Sequence, residues 1–199
     1  MGTKLEGKRI AFLATDGFEQ SELLEPLKGL EEEGAECDVV SPKEGKIRGW
    51  KHGNWGDSVD VDVKLAEADA DAYDALVLPG GVINPDKLRV IPEALAFVRK
   101  FFDAGKPIGA ICHGPWTLID AGCVEGKTMT SWPSVRTDLV NAGARWVDEE
   151  VVTDEGLVTS RKPDDIPAFT KKLIEEIAEG HGEARAQATA TQPEAAPPR

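Results

Sequence analysis

Three segments, Arg9–Ala14, Ala75–Leu78 and Ile108–Ile111, are short and almost continuously apolar. A strand without polar alternation has no face to give to water, so it has to be covered on both sides. The segments between them supply the cover. Residues 19–33 carry Leu23, Leu24, Leu27 and Leu30 on one helical face, with Gly34 positioned as a C-cap. Pro92 opens a helix that runs to Asp103, and residues 113–121 read as a further helix stopped by Gly122. Strands that alternate with helices across short glycine-marked turns predict a three-layer α/β domain around a mostly parallel sheet.

The remaining segments fit that plan. Cys37–Val40 reads as a strand, and residues 45–63 read as a hairpin excursion in which Val59, Val61 and Val63 alternate with Asp60 and Asp62. A helix ends at Asn141, strands are expected at 144–147, 151–153 and 157–160, and a closing helix at 163–179. With 199 residues, the chain suits one domain, placed at 1–180. Residues 181–199 contain no large apolar side chain and are expected to form a disordered tail. The net charge of −13 argues against a nucleic-acid partner. No apolar run reaches the ~18 residues of a membrane span, and Met1–Arg9 lacks a signal-peptide core. Cys37, Cys112 and Cys123 include no CxxC pair and no zinc spacing, which suits a reducing cytoplasm and implies no metal or other cofactor.

In such a sheet, ligands sit beyond the carboxyl ends of the strands. Residues 15–19, 79–86 and 112–115 lie there. Gly109-Ala110-Ile111-Cys112-His113-Gly114-Pro115 carries a strand directly into Cys112 and then a helix, with Ala110 and Gly114 two residues to either side. That is the pattern of a nucleophile elbow, whose tight turn excludes bulky neighbours. It sets the thiol at a helix N-terminus, where a thiolate is favoured and a pKa below the ~8.5 of free cysteine is expected. The His113 N–H is placed to stabilise an oxyanion. A buried, inert cysteine at a strand end is the plainer alternative.

Of the other histidines, His52 lies in the hairpin and His181 in the tail, so a triad with a distant downstream His is not expected. Glu19 follows the first strand and reads either as a carboxyl facing the thiol or as an acid in the first turn of a helix. Pro79-Gly80-Gly81 reads either as a second source of an oxyanion N–H or as a plain turn. Asp86 reads as a helix-start acid, and Cys37 and Cys123 as packing residues.

Ala110-Ile111-Cys112-His113-Gly114-Pro115, Phe18-Glu19 after the first strand and Leu78-Pro79-Gly80-Gly81 after the third resemble the PfpI superfamily over roughly residues 8–179. That group holds intracellular protease I, general stress proteins, glyoxalase III-type enzymes and deglycases. The resemblance implies a flavodoxin-like fold of the class I glutamine amidotransferase-like group, working without a metal. It implies Cys112 as the reactive cysteine, His113 as its neighbouring histidine and Glu19 as the glutamate on the thiol. It places the triad acid on Asp86, contributed by a neighbouring subunit of a homodimer or larger assembly. Gly81 and His113 would supply the oxyanion N–H groups.

The expected substrates are small 2-oxoaldehydes, glycated adducts or peptides. A small, polar elbow site would favour the aldehydes over folded proteins. The competing expectation is a stress chaperone or redox sensor that uses an oxidisable Cys112.

Overall fold

The computed structural model describes residues 3–180, so the expected tail at 181–199 lies outside the described residues. The chain runs β1 (Arg9–Leu13), α1 (Gln20–Glu32), β2 (Glu36–Ser41), β3 (Lys46–Lys51), β4 (Asn54–Asp60), β5 (Val63–Lys64) and β6 (Ala75–Leu78). It continues with α2 (Ile83–Leu88), α3 (Pro92–Asp103), β7 (Ile108–Ile111), α4 (Pro115–Asp120) and β8 (Thr128–Met129). It closes with α5 (Arg136–Asn141), β9 (Arg145–Trp146), β10 (Val151–Asp154), β11 (Leu157–Ser160) and α6 (Ile166–Glu179).

Seven strands form one sheet in the order β10-β11-β7-β6-β1-β2-β5. All neighbours pair in parallel except β10 with β11. The pleat divides the apolar runs between two cores. Ala11, Leu13, Leu76, Leu78, Ile108 and Ala110 face Phe97, Phe101 and Leu118. Ile10, Phe12, Ala75, Val77 and Ile111 face Leu23, Leu30, Phe169 and Leu173. The sheet is thus the middle layer of an α/β sandwich, as the continuous apolar runs require.

Two local differences from the sequence reading have simple causes. The elbow helix begins at Pro115, because residues 112–114 are used in the turn itself. Residues 83–88 form a helix, α2, where the sequence suggested only a helix-start acid; Pro85 sits in its first turn. The β3–β4 hairpin leaves the main sheet and lies over the end of β1. Its strand β3 is tied there by Gly17 N–H to Arg48 O (2.7 Å) and Trp50 N–H to Phe18 O (2.7 Å). This brings Trp50 to the carboxyl edge of the sheet.

Candidate active site

Cys112 has φ +62, in the left-handed region that a β-carbon disfavours. The surrounding backbone holds it there. Its N–H donates to Ser160 O (3.0 Å), its carbonyl accepts from Trp132 N–H (3.0 Å), and Gly114 N–H closes the turn onto Ile111 O (2.9 Å). A β-carbon at Gly114 would lie 2.5 Å from Leu78 O, which explains why the second residue after the thiol is glycine.

The turn after β6 presses against this elbow. A β-carbon at Gly80 would stand 2.4 Å from Glu22 Oε2 and 2.6 Å from Cys112 Cβ. Gly81 has φ +78, and a β-carbon there would meet Gly17 O at 2.5 Å. Buried Asn84 fastens the turn: its amide donates to Pro79 O (3.0 Å) and Gly80 O (3.3 Å), and its Oδ1 accepts from Thr15 N–H (2.8 Å). In this arrangement the backbone N–H groups of Gly81 and His113 stand beside the sulfur and favour its thiolate. Both expected oxyanion donors are thus adjacent to the nucleophile; the role itself requires them to face the oxygen of the attacked carbonyl.

The carboxyl on the thiol is Glu22, not the Glu19 expected from sequence. Glu22 lies in the first turn of α1, is fully buried, accepts the Gly80 N–H on Oε2 (2.9 Å) and stands beside the Cys112 thiol, with its Oε1 buried and without a hydrogen-bond partner among the described residues. Glu19 precedes α1 and lines the same pocket, but its side chain takes a bond from Ser21 Oγ (3.4 Å). The helical turn points residue 22 down onto the sheet edge and leaves residue 19 on the wall above it. Burial, helped by the charge of Glu19, pushes the Glu22 carboxyl up to about 8. At neutral pH it therefore carries a proton.

The expectation of a freely acidic thiol is also altered. Cys112 is only 7% exposed; burial and a charged Glu22 push its pKa upward, against the two N–H donors.

His113 Nδ1 lies 3.1 Å from Cys112 Sγ, and Nε2 lies 3.4 Å from Ser134 Oγ. The ring stacks on Trp132 (centroids 6.1 Å, 23°) and meets Trp116 edge-on. Burial lowers its pKa, which keeps it neutral at pH 7. Among the described residues no carboxylate bonds this ring. Asp86 is exposed on α2 and does not line the pocket of its own chain.

The pocket above the thiol has a volume of about 460 Å³. It is neither small nor predominantly polar, contrary to the sequence expectation, because Trp50, Val82, Ile83, Trp132 and Pro163 are among the residues that line it. Among the described residues no group of three His, Cys, Asp or Glu side chains is placed to hold a metal ion, and no helix is long and apolar enough to cross a membrane.

The family model described as DJ-1/PfpI matches residues 8–176. The chain belongs to the DJ-1/PfpI family. Deglycase TK1284 of Thermococcus kodakarensis is 45% identical over 166 residues, covering 83% of this chain and 97% of the relative. General stress protein 18 of Bacillus subtilis is 43% identical over 169 residues, covering 84% and 96%. Among solved structures, a two-domain protein with DJ-1/ThiJ/PfpI-like and ferritin-like domains from Anabaena variabilis has a TM-score of 0.81. It is 35% identical, and the match spans 89% of this chain and 49% of that one. Drosophila melanogaster DJ-1beta has a TM-score of 0.79 at 27% identity, covering 93% and 98%. The fold of this DJ-1/PfpI member is thereby established as that of the family.

Sequence reasoning missed two residues of the site, Glu22 and Asn84. Each left a signal. Glu22 stands between apolar positions on the inward face of α1, beside Leu23 and in step with Pro26 and Leu30, all buried. Asn84 is an amide four residues after a Pro-Gly turn, within reach of two carbonyls that no strand partner can satisfy.

Proposed function

We propose that this chain is a PfpI-type cysteine enzyme in which Cys112 attacks the carbonyl carbon of 2-oxoaldehydes or of the adducts they form with amines and thiols. The observation that carries this reading is the convergence on one sulfur of two backbone N–H donors, His113 Nδ1 at 3.1 Å and the carboxyl of buried Glu22. The relatives named deglycase support the same reaction class.

With a free 2-oxoaldehyde, the thiolate adds to the aldehyde carbon. A C–S bond forms, and the carbonyl π electrons move to oxygen, beside the N–H groups of Gly81 and His113. Glu22 gives its proton to that oxygen, which completes a hemithioacetal and leaves Glu22 ionised. Neutral His113 or ionised Glu22 then accepts the proton on the former aldehyde carbon, and a proton is returned to the adjacent carbonyl carbon. The product is a thioester of a 2-hydroxy acid. Water adds to it, the C–S bond breaks, and sulfur leaves as the thiolate. The net change is addition of one water. With a glycated amine, the same sequence additionally breaks the C–N bond, and the amine leaves with a proton from His113 or Glu22. Hydrolysis of an acyl or peptide bond uses the same sulfur and N–H groups, but gains no use for the carbon-bound proton transfer that Glu22 is placed to perform.

The test is to incubate wild type and Cys112→Ala with methylglyoxal and quantify lactate by chromatography. Lactate from wild type alone supports the reading. Production that survives in Cys112→Ala would remove the thiol from the chemistry. Absence from both would favour the chaperone or redox role.

A further inference from the structure

We infer that the pocket over Cys112 selects uncharged carbonyl compounds bearing an aryl or bulky apolar substituent, over both methyl-bearing and anionic ones. The inference rests on the carbonyl chemistry proposed above, because that chemistry fixes the pose. The attacked carbon lies at Sγ and its oxygen at the Gly81 and His113 N–H groups. Whatever else the substrate carries has to occupy the remaining volume.

That volume is about 460 Å³, within the range that encloses drug-sized ligands, roughly 300–1,000 Å³. A three-carbon aldehyde would leave most of it to water, against apolar walls. Two of the large hydrophobic residues that the surface exposes, Val82 at 55% and Trp132 at 39%, line this same pocket. Trp132 is held in place relative to the thiol by its backbone N–H to Cys112 O (3.0 Å) and by stacking on His113. Its face is therefore a fixed wall next to the reacting atom, and a ligand ring stacking there orders no new side chain.

Charge gives the second half of the selection. Buried Glu22 holds its proton at neutral pH, so Glu19 is the acid that an anion meets, and among the described lining residues there is no Lys or Arg. A carboxylate- or phosphate-bearing carbonyl compound would meet like charge and no cation. The 2-hydroxy acid produced by the proposed reaction is such an anion, so the same feature favours its release.

The test has a kinetic arm and a binding arm. Wild type is assayed with phenylglyoxal, methylglyoxal and glyoxylate, each value of kcat/KM being divided by the rate of that compound with a free thiol. Phenylglyoxal is expected to exceed methylglyoxal by roughly tenfold to a hundredfold, with glyoxylate the poorest. Trp132→Ala and Val82→Ser should each reduce the phenylglyoxal-to-methylglyoxal ratio, the first by about tenfold. The second variant changes a half-exposed position at the start of α2 and leaves the His113 stack intact. In the binding arm, Cys112→Ser is titrated with acetophenone and with benzoate, following tryptophan fluorescence. Acetophenone is expected to bind and benzoate to bind at least tenfold more weakly. A phenylglyoxal preference that is absent, or unmoved by both variants, would overturn the inference. If no aldehyde is turned over, the proposed reaction fails, and equal binding of the two probes would then overturn the selectivity separately.

Discussion

The floor and the rim of the pocket are built on opposite principles, although they are only one helical turn apart at Glu22 and Glu19. On the floor, Glu22, Gly80, Gly81, Asn84 and Cys112 are buried, and the Gly80 N–H and the Asn84 amide are matched to specific partners. Glycine is obligatory there, because a β-carbon would fall within 2.4–2.6 Å of its neighbours. At the rim, Glu19, Val82 and Trp132 are half-buried or exposed, and a change of side chain there meets no backbone atom. On the proposed reaction, chemistry falls to positions where substitution is structurally expensive, and selection among substrates to positions where it is cheap.

The largest effect expected from this division is at Gly81. Gly81→Ala places a β-carbon 2.5 Å from Gly17 O at a positive φ, and moves one of the two N–H groups aimed at sulfur. Turnover should fall by about a hundredfold or more, the scale of losing one oxyanion donor. Circular dichroism should still report a folded chain. A variant within threefold of wild type would show that this N–H does not take part.

Next comes the buried acid. An unfolded Glu22 titrates near 4.5 and the folded one about 8. Between those values the folded chain holds a proton that the unfolded chain has released, so stability falls as pH rises through this window, by several kcal/mol at this shift. Glu22→Gln keeps an acceptor for the Gly80 N–H and removes the titration. Its denaturation midpoint should be nearly flat where wild type declines between about pH 4.5 and 8. The same change replaces the O–H donor facing sulfur by a weaker amide, so the midpoint for Cys112 alkylation should move upward. Parallel stability curves for the two proteins would mean that Glu22 ionises freely in the folded state.

How much of this was legible without coordinates follows the same line. The apolar runs Ala75–Leu78 and Ile108–Ile111 could only be doubly covered strands, and the layer order followed from them. Cys112 was legible because the elbow needs small residues at fixed offsets, and Ala110 and Gly114 occupy them. Glu22 was hidden because burial of a carboxyl is a tertiary event. Its local context, a polar residue in the first turn of a helix, is shared with Glu19, and only the rotation of α1 against the sheet edge separates them. Asn84 was hidden for a related reason: the carbonyls it satisfies belong to a turn whose shape is set by contact with Gly17, far away in the chain. The aromatic wall escaped because Trp50 arrives on a hairpin and Trp132 through a loop.

Asp86 lies outside this pocket and carries a smaller effect. It is exposed and outside the pocket of its own chain, while His113 has no carboxylate partner among the described residues. If a neighbouring subunit brings its copy to that ring, Asp86→Ala should reduce turnover several-fold without loss of stability, since an exposed helix-start acid contributes within about 0.5 kcal/mol. Mixing Cys112→Ala with Asp86→Ala subunits should then restore part of the activity through mixed interfaces. No recovery, with subunit exchange demonstrated by mass, would confine Asp86 to its own chain.

The smallest effect expected is at Glu19, and it measures how strongly rim and floor communicate. Glu19 acts on Glu22 through charge alone; like charge opposes ionisation of the buried carboxyl and helps burial to hold it near 8. Glu19→Gln removes that charge and keeps the shape of the wall. The Glu22 midpoint should therefore move down, by less than the shift that burial itself produces, since burial is the larger cause. The protonated fraction at neutral pH decreases, and any limb of the pH–rate profile that depends on protonated Glu22 moves to lower pH with it. Because Glu19 is partly open to solvent, added salt should shrink the difference between wild type and variant, whereas a contact effect would be indifferent to salt. A profile that Glu19→Gln leaves unmoved at low ionic strength would show that the floor is electrically insulated from the rim. A fall in maximal turnover comparable to that of Glu22→Gln would instead return Glu19 to the chemistry itself.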